Sequence, residues 1–327
     1  MVFLFRDKSL VNIILLILLS IAVHAHLLWS PVVVSAGSPS GWFSLLASHF
    51  LPQLHPALLF VIYQVLLLSI ALRLNTWLDR LRMFPGSTYL PALTLVLLSS
   101  LFPSWCQLTP ALLAGHLLLW IFSRICDLPQ DTQTRGALLN NGLILGISVL
   151  CYHPMLIPAI AALPAMAVVK RFRINEYLLL ILGFLLPYYF FLAVAFLIDD
   201  LPSFFNQLPK FSPGWPMSLP DEITIGSLVL LVLGFFFGLA FWQQFNGRLL
   251  MQTRNNWSVL LVMVLFLIPL PFLMSKEGLS LIWLITLPMS AFFSTAFSVP
   301  RRLLLPNLFF WLLMAQAILH NWLIMKK

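Results

Sequence analysis

YLLLILGFLLPYYFFLAVAFLI, residues 177 to 198, runs for 22 positions without one charged side chain. Lys170, Arg171 and Arg173 stand before it, and Asp199 and Asp200 follow it. A bilayer core needs about 20 apolar residues per helix, and lipid offers no partner for unpaired backbone groups. The stretch therefore reads as a transmembrane helix with its basic flank on the cytoplasmic side.

The rest of the chain repeats this pattern. Of 327 residues, 61% are hydrophobic and 9% charged, and mean hydropathy is +0.99. A water-soluble core of this size cannot hide so much apolar surface. Apolar runs lie near 10–29, 55–73, 89–104, 108–123, 137–152, 155–169, 177–198, 223–242, 257–274, 279–298 and 306–325. The expectation is one integral membrane domain over 1–327, an all-α polytopic bundle of about eleven spans with a cytoplasmic N-terminus. The opening charged segment and its long apolar run read as a retained first span.

The basic residues test this partition. Arg6, Lys8, Arg73, Arg80, Arg82, Arg124, Arg135, Lys170, Arg171, Arg173, Arg248, Arg254, Arg301 and Arg302 fall on one side; Lys210, Lys276, Lys326 and Lys327 fall on the other. Such a bias is the positive-inside pattern and assigns the first group to the cytoplasmic side. The net charge of +8 is thus read as loop anchoring and not as a nucleic-acid surface.

Prolines punctuate the helices. His55-Pro56, Leu90-Pro91, Thr109-Pro110 and Ile157-Pro158 mark starts, because first-turn amides have no intrahelical partner to lose. Pro164, Pro187, Pro269, Pro271 and Pro288 lie deeper and predict kinks. Gly142 with Gly146, and Gly234 with Gly238, have the spacing that lets helix backbones touch.

Candidate chemistry is sparse. No carboxylate falls in mid-span, which argues against an ion-coupled carrier. The longest external loop, 199–222, gathers Asp199, Asp200, Trp215, Asp221 and Glu222; Asp221 and Glu222 also suit a helix N-terminus. His24, His26, His49, His55, His153 and His320 cluster toward the outer ends, with no metal expected, since residues two apart on a helix point differently and no thiolate or carboxylate adjoins them. His116 lies deep, with Asn140, Asn141, Gln64 or a kink carbonyl as expected partners. Cys106, Cys126 and Cys151 show no metal or redox spacing, although Cys106 and Cys151 share a side and admit one bridge. The sequence implies no cofactor.

The stretch Asn141-Gly142-Leu-Ile-Leu-Gly146-Ile-Ser-Val-Leu-Cys-Tyr-His153-Pro154, continuing through Pro158, Pro164 and Lys170-Arg171, resembles the polytopic GT-C glycosyltransferases. Nearly the full chain also resembles an uncharacterised Bacteroidota family of inner-membrane proteins, opening like Phe5-Arg6-Asp7-Lys8-Ser9. The GT-C likeness implies a lipid-linked sugar, such as a polyprenyl-phosphate lipid, handled by an acidic residue in the first external loop. Residues 30–55 hold no Asp or Glu. The leading expectation is therefore a membrane subunit or accessory factor of envelope biogenesis or surface export, embedded in the bilayer with membrane-protein partners. The alternatives are an outer-face transferase using Asp199 or Asp200 with His153, and a translocator of lipid or small molecules. Substrate contacts are expected from His116, Trp215, Asn140 and Asn141.

Overall fold

The computed structural model describes residues 2–35, 41–130, 134–216, 221–300 and 303–324. Part of the 199–222 loop, Asp131, Arg301, Arg302, Lys326 and Lys327 lie outside them. In chain order the α-helices are α1 Leu10–Val23, α2 Trp42–His49, α3 Pro56–Arg80, α4 Leu90–Ser99, α5 Pro110–Asp127, α6 Thr134–Cys151, α7 Leu156–Val169 and α8 Ile174–Leu197. They continue with α9 Leu201–Asn206, α10 Glu222–Asn246, α11 Met251–Leu267, α12 Leu270–Leu273, α13 Ile282–Ser298 and α14 Leu304–Ile324. Among the described residues there is no strand, only the isolated bridges Val34 to Leu108 and Ser212 to Met274. Seven stretches are long and apolar enough to cross a membrane, and four shorter apolar helices accompany them. The chain is an all-helical membrane protein.

Two helices form the centre. In α13 every residue from Trp283 to Phe297 is buried, and all ten residues of α4 are buried. A helix surrounded by protein can be apolar on every side, as both are. The outer helices differ: α8 buries only Leu180, Gly183 and Ala195, and its remaining apolar surface suits lipid contact.

Glycines set the closest seams. A methyl on Gly142 would meet the Leu180 carbonyl and come within 2.8 Å of Gly183 Cα, so α6 and α8 touch backbone to backbone. Gly234 and Gly238 of α10 lie against Phe293 and the Phe292 backbone of α13. There Thr295 Oγ1 donates to the Gly238 carbonyl at 2.6 Å.

One end of the bundle is basic and ion-paired. Lys8 meets Asp79 at 2.6 Å, Arg80 meets Asp127 at 2.7 Å, and Lys170 meets Glu176 at 2.8 Å. The Phe5 to Ser9 segment acts as a staple here. Arg6 donates to the carbonyls of Phe297 and Pro300, each at 2.7 Å, near the end of α13, where a cation also suits the helix dipole. Ser9 Oγ caps α1 by accepting from Asn12 N at 3.3 Å.

Candidate functional site

At the opposite end the decisive feature is a helix that stops early. The α4 helix has ten residues and rises about 15 Å, half a bilayer core. Beyond Ser99 the chain is irregular but remains buried at Leu101, Phe102, Trp105, Cys106 and Leu108. Irregular backbone at such depth needs partners, because protein surrounds it on every side.

Polar side chains from other helices supply many of them. Asn321 Nδ2 donates to the Ser100 carbonyl at 2.7 Å, and His320 Nδ1 lies 2.8 Å from the Leu101 carbonyl. Tyr63 hydroxyl donates to the Trp105 carbonyl at 3.4 Å. The Leu108 carbonyl accepts from Ser35 N, while Leu108 N donates to the Val33 carbonyl. A further shell steadies these groups. His24 Nε2 sits 3.1 Å from the Tyr63 hydroxyl, Ser20 donates to Gln64 at 2.7 Å, and Ser227 contacts His320 at 3.0 Å. The cysteines are all free, so no Cys106–Cys151 bridge forms; Cys106 Sγ instead lies 3.7 Å from Asn321 Oδ1.

A second cluster adjoins this one through Trp105, whose Nε1 donates to the Leu279 carbonyl at 2.8 Å. The 3₁₀ segment Ser275–Leu281 turns at Gly278, where φ is +63°, and holds Glu277 buried. Tyr152 hydroxyl reaches Glu277 Oε2 at 3.5 Å, and Ser280 Oγ donates to the Glu277 carbonyl at 2.6 Å. The neighbouring His153 is buried against the Gln207 backbone, with Lys210 close by. Residues 212–214 are laced to 272–275: Ser212 N donates to the Leu273 carbonyl, Ser275 N to the Ser212 carbonyl, and Gly214 N to the Phe272 carbonyl. The described part of the 199–222 loop is therefore tied to the bundle at residues 212–214.

The sequence-derived candidates do not share a site. Asp199, at φ +58°, and Asp200 are exposed where α8 gives way to α9, whereas His153 is buried beside Tyr152. Trp215 is exposed and packs its ring 5.4 Å from Phe272. His116 finds none of its expected partners; Ser69 of α3 takes its Nε2 at 2.8 Å, with Arg73 nearby, on a half-exposed seam. The adjacent Gly115 lies against the Trp283 ring. Asn140 is exposed near the basic end, and Asn141, facing inward, lines a cleft with Arg124.

The carboxylate that sequence reasoning passed over is Glu277. Its signal was position: it lies in residues 275–278, a connection too short to carry a charge far from the bundle. Among the described residues no group of three or more His, Cys, Asp or Glu side chains could hold a metal ion. Compared with protein-family models, curated proteins and solved structures, the chain matches none.

Proposed function

We propose that the chain spans a bacterial inner membrane eleven times, N-terminus in the cytoplasm, and serves as a non-catalytic membrane subunit of an envelope-biogenesis or surface-export assembly. One observation carries this reading. The polar side chains at the end away from the ion pairs, Tyr63, His320 and Asn321 above all, hold broken backbone together instead of converging on a reacting centre. Polar groups spent on buried backbone give a rigid platform, and a subunit needs a platform.

The test uses the full chain in native membranes with a photo-crosslinking side chain at Trp215, which is exposed beside the fixed loop. The expected product is a discrete adduct with one envelope protein in constant ratio. Lipid adducts alone, with a chain that purifies by itself carrying a polyprenyl phosphate in native mass spectrometry, would overturn the reading. Orientation is checked in a variant lacking Cys106, Cys126 and Cys151: a cysteine at Arg171 should resist a membrane-impermeant maleimide until the membrane is opened.

Glu277 favours a second reading, transfer from a lipid-linked sugar at the outer face, with this carboxylate in place of Asp199 or Asp200 as general base. A buried carboxylate beside a phenol is the kind of environment that tunes an acid or base. Glu277→Gln should then abolish product while Asp199→Asn and Asp200→Asn do not. Product formed normally by Glu277→Gln removes the reading.

A further inference from the structure

At the basic end, Arg124 stands apart from its neighbours. Lys8, Arg80 and Lys170 each face a carboxylate, but among the described residues none lies within ion-pair distance of Arg124. Its Nε is fully buried, with no hydrogen-bond partner among the described groups. A guanidinium nitrogen withdrawn from water without an acceptor is costly unless a ligand supplies one.

Arg124 and Asn141 line the inner end of a narrow cleft between α5, α6, α7 and α8. Leu145 and Leu180 continue from it into a wider cavity of about 130 Å³, walled by aliphatic side chains and Phe184. The walls of that cavity include Ala159, whose small side chain leaves room beside α7. The two spaces are neighbours across Leu145 and Leu180, and the slot they outline is lined by apolar side chains with Arg124 and Asn141 at one end.

We propose that this slot binds an anionic glycerophospholipid, its phosphate on Arg124 and an acyl chain between α7 and α8. Charge complementarity selects the occupant: an aliphatic slot takes any acyl chain, and the guanidinium donates a bidentate pair of hydrogen bonds to phosphate oxygens. The inference rests on the bundle being membrane-embedded, not on which side either end faces or on any partner protein.

The full chain is equilibrated with vesicles of equal parts phosphatidylglycerol and phosphatidylcholine, extracted gently, and weighed by native mass spectrometry. The wild type should retain phosphatidylglycerol preferentially. Arg124→Gln should lower that preference about fivefold, the usual weight of one basic side chain at a lipid headgroup. Arg124→Lys keeps the charge but loses the two-pronged hydrogen bonding, so its preference should fall between those of wild type and Arg124→Gln, which separates loss of charge from loss of fold. Ala159→Phe, filling the slot and leaving Arg124 untouched, should reduce retention of both lipids. Equal preference in Arg124→Gln and wild type, unchanged retention in Ala159→Phe, or release of the lipid by inorganic phosphate alone would each overturn the proposal.

Discussion

The buried polar groups around residues 100–108 and the glycine seam between α6 and α8 hold the same protein together by opposite means. Around Ser100 and Leu101 the backbone is irregular and carbonyls are matched to side chains carried by α3 and α14. Between α6 and α8 the chain stays helical on both sides, interrupted only by Pro187 in α8, and close approach at Gly142, Gly146 and Gly183 gives the contact. In lipid there is little hydrophobic gain from bringing helices together, so cohesion comes from packing or from hydrogen bonds. The first region is tuned by individual polar atoms; the second by volume.

Volume should be the more brittle of the two. Gly183→Leu would drive a side chain into the Leu139 carbonyl and Gly142 Cα, which are main-chain atoms that cannot rotate away. Separating α6 from α8 should cost about 3 kcal/mol or more, at the upper end of overpacking effects. Thermal unfolding in detergent should show a large drop in midpoint or no folded protein. A near-native midpoint would mean the seam is not close-packed.

In the polar region the largest single loss should come from Asn321→Leu, which leaves the Ser100 carbonyl without its Nδ2 donor at 2.7 Å. The expected cost is about 1–3 kcal/mol, that of stranding a buried acceptor. Tyr63→Phe removes a longer bond to Trp105 and the contact with His24, so about 1 kcal/mol is expected. The two residues bond different carbonyls but share Cys106 as a neighbour, so the double variant should show weak coupling. Strong coupling would show that the network acts as a single unit.

The regular helices were far more legible in the sequence than the broken one. Each apolar run coincides with a helix because hydropathy and helix length respond to the same solvent. Boundaries failed where something other than lipid decided them. The run ending at Arg73 continues as helix to Arg80, since Arg73 extends over the Trp77 ring at 5.1 Å and need not end the helix. The run ending at 104 stops at Ser99, because its continuation is stabilised by residues more than two hundred positions away, which no local pattern encodes. The Pro158 start signal was two residues late: α7 begins at Leu156, behind the turn containing Pro154. Among the site residues, the histidines at helix ends were visible as a group, but the use of His24 and His320 as backbone partners was not. Glu277 was visible only as one of ten acidic residues.

The smallest effect belongs to a half-exposed ion pair at the charged end, Lys8 with Asp79. Lys8 hydrogen-bonds to Asp79 across the gap between the N-terminal segment and α3, and that bond with the nearby negative charge raises the lysine above its ordinary value of 10.5. A raised base is protonated more readily in the folded state than in the unfolded one, so its contribution is complete below pH 10.5 and fades as pH climbs through the folded value. Because 43% of the Lys8 side chain is exposed, the effect should be a few tenths of a kcal/mol and should shrink further in salt. Lys8→Met should lower the unfolding midpoint slightly at neutral pH and erase only this alkaline decline. If Lys8→Met instead matched the loss in Asn321→Leu, the N-terminal segment would have to be a third cohesive region, with Arg6 and its carbonyls near the end of α13 as the place to look next.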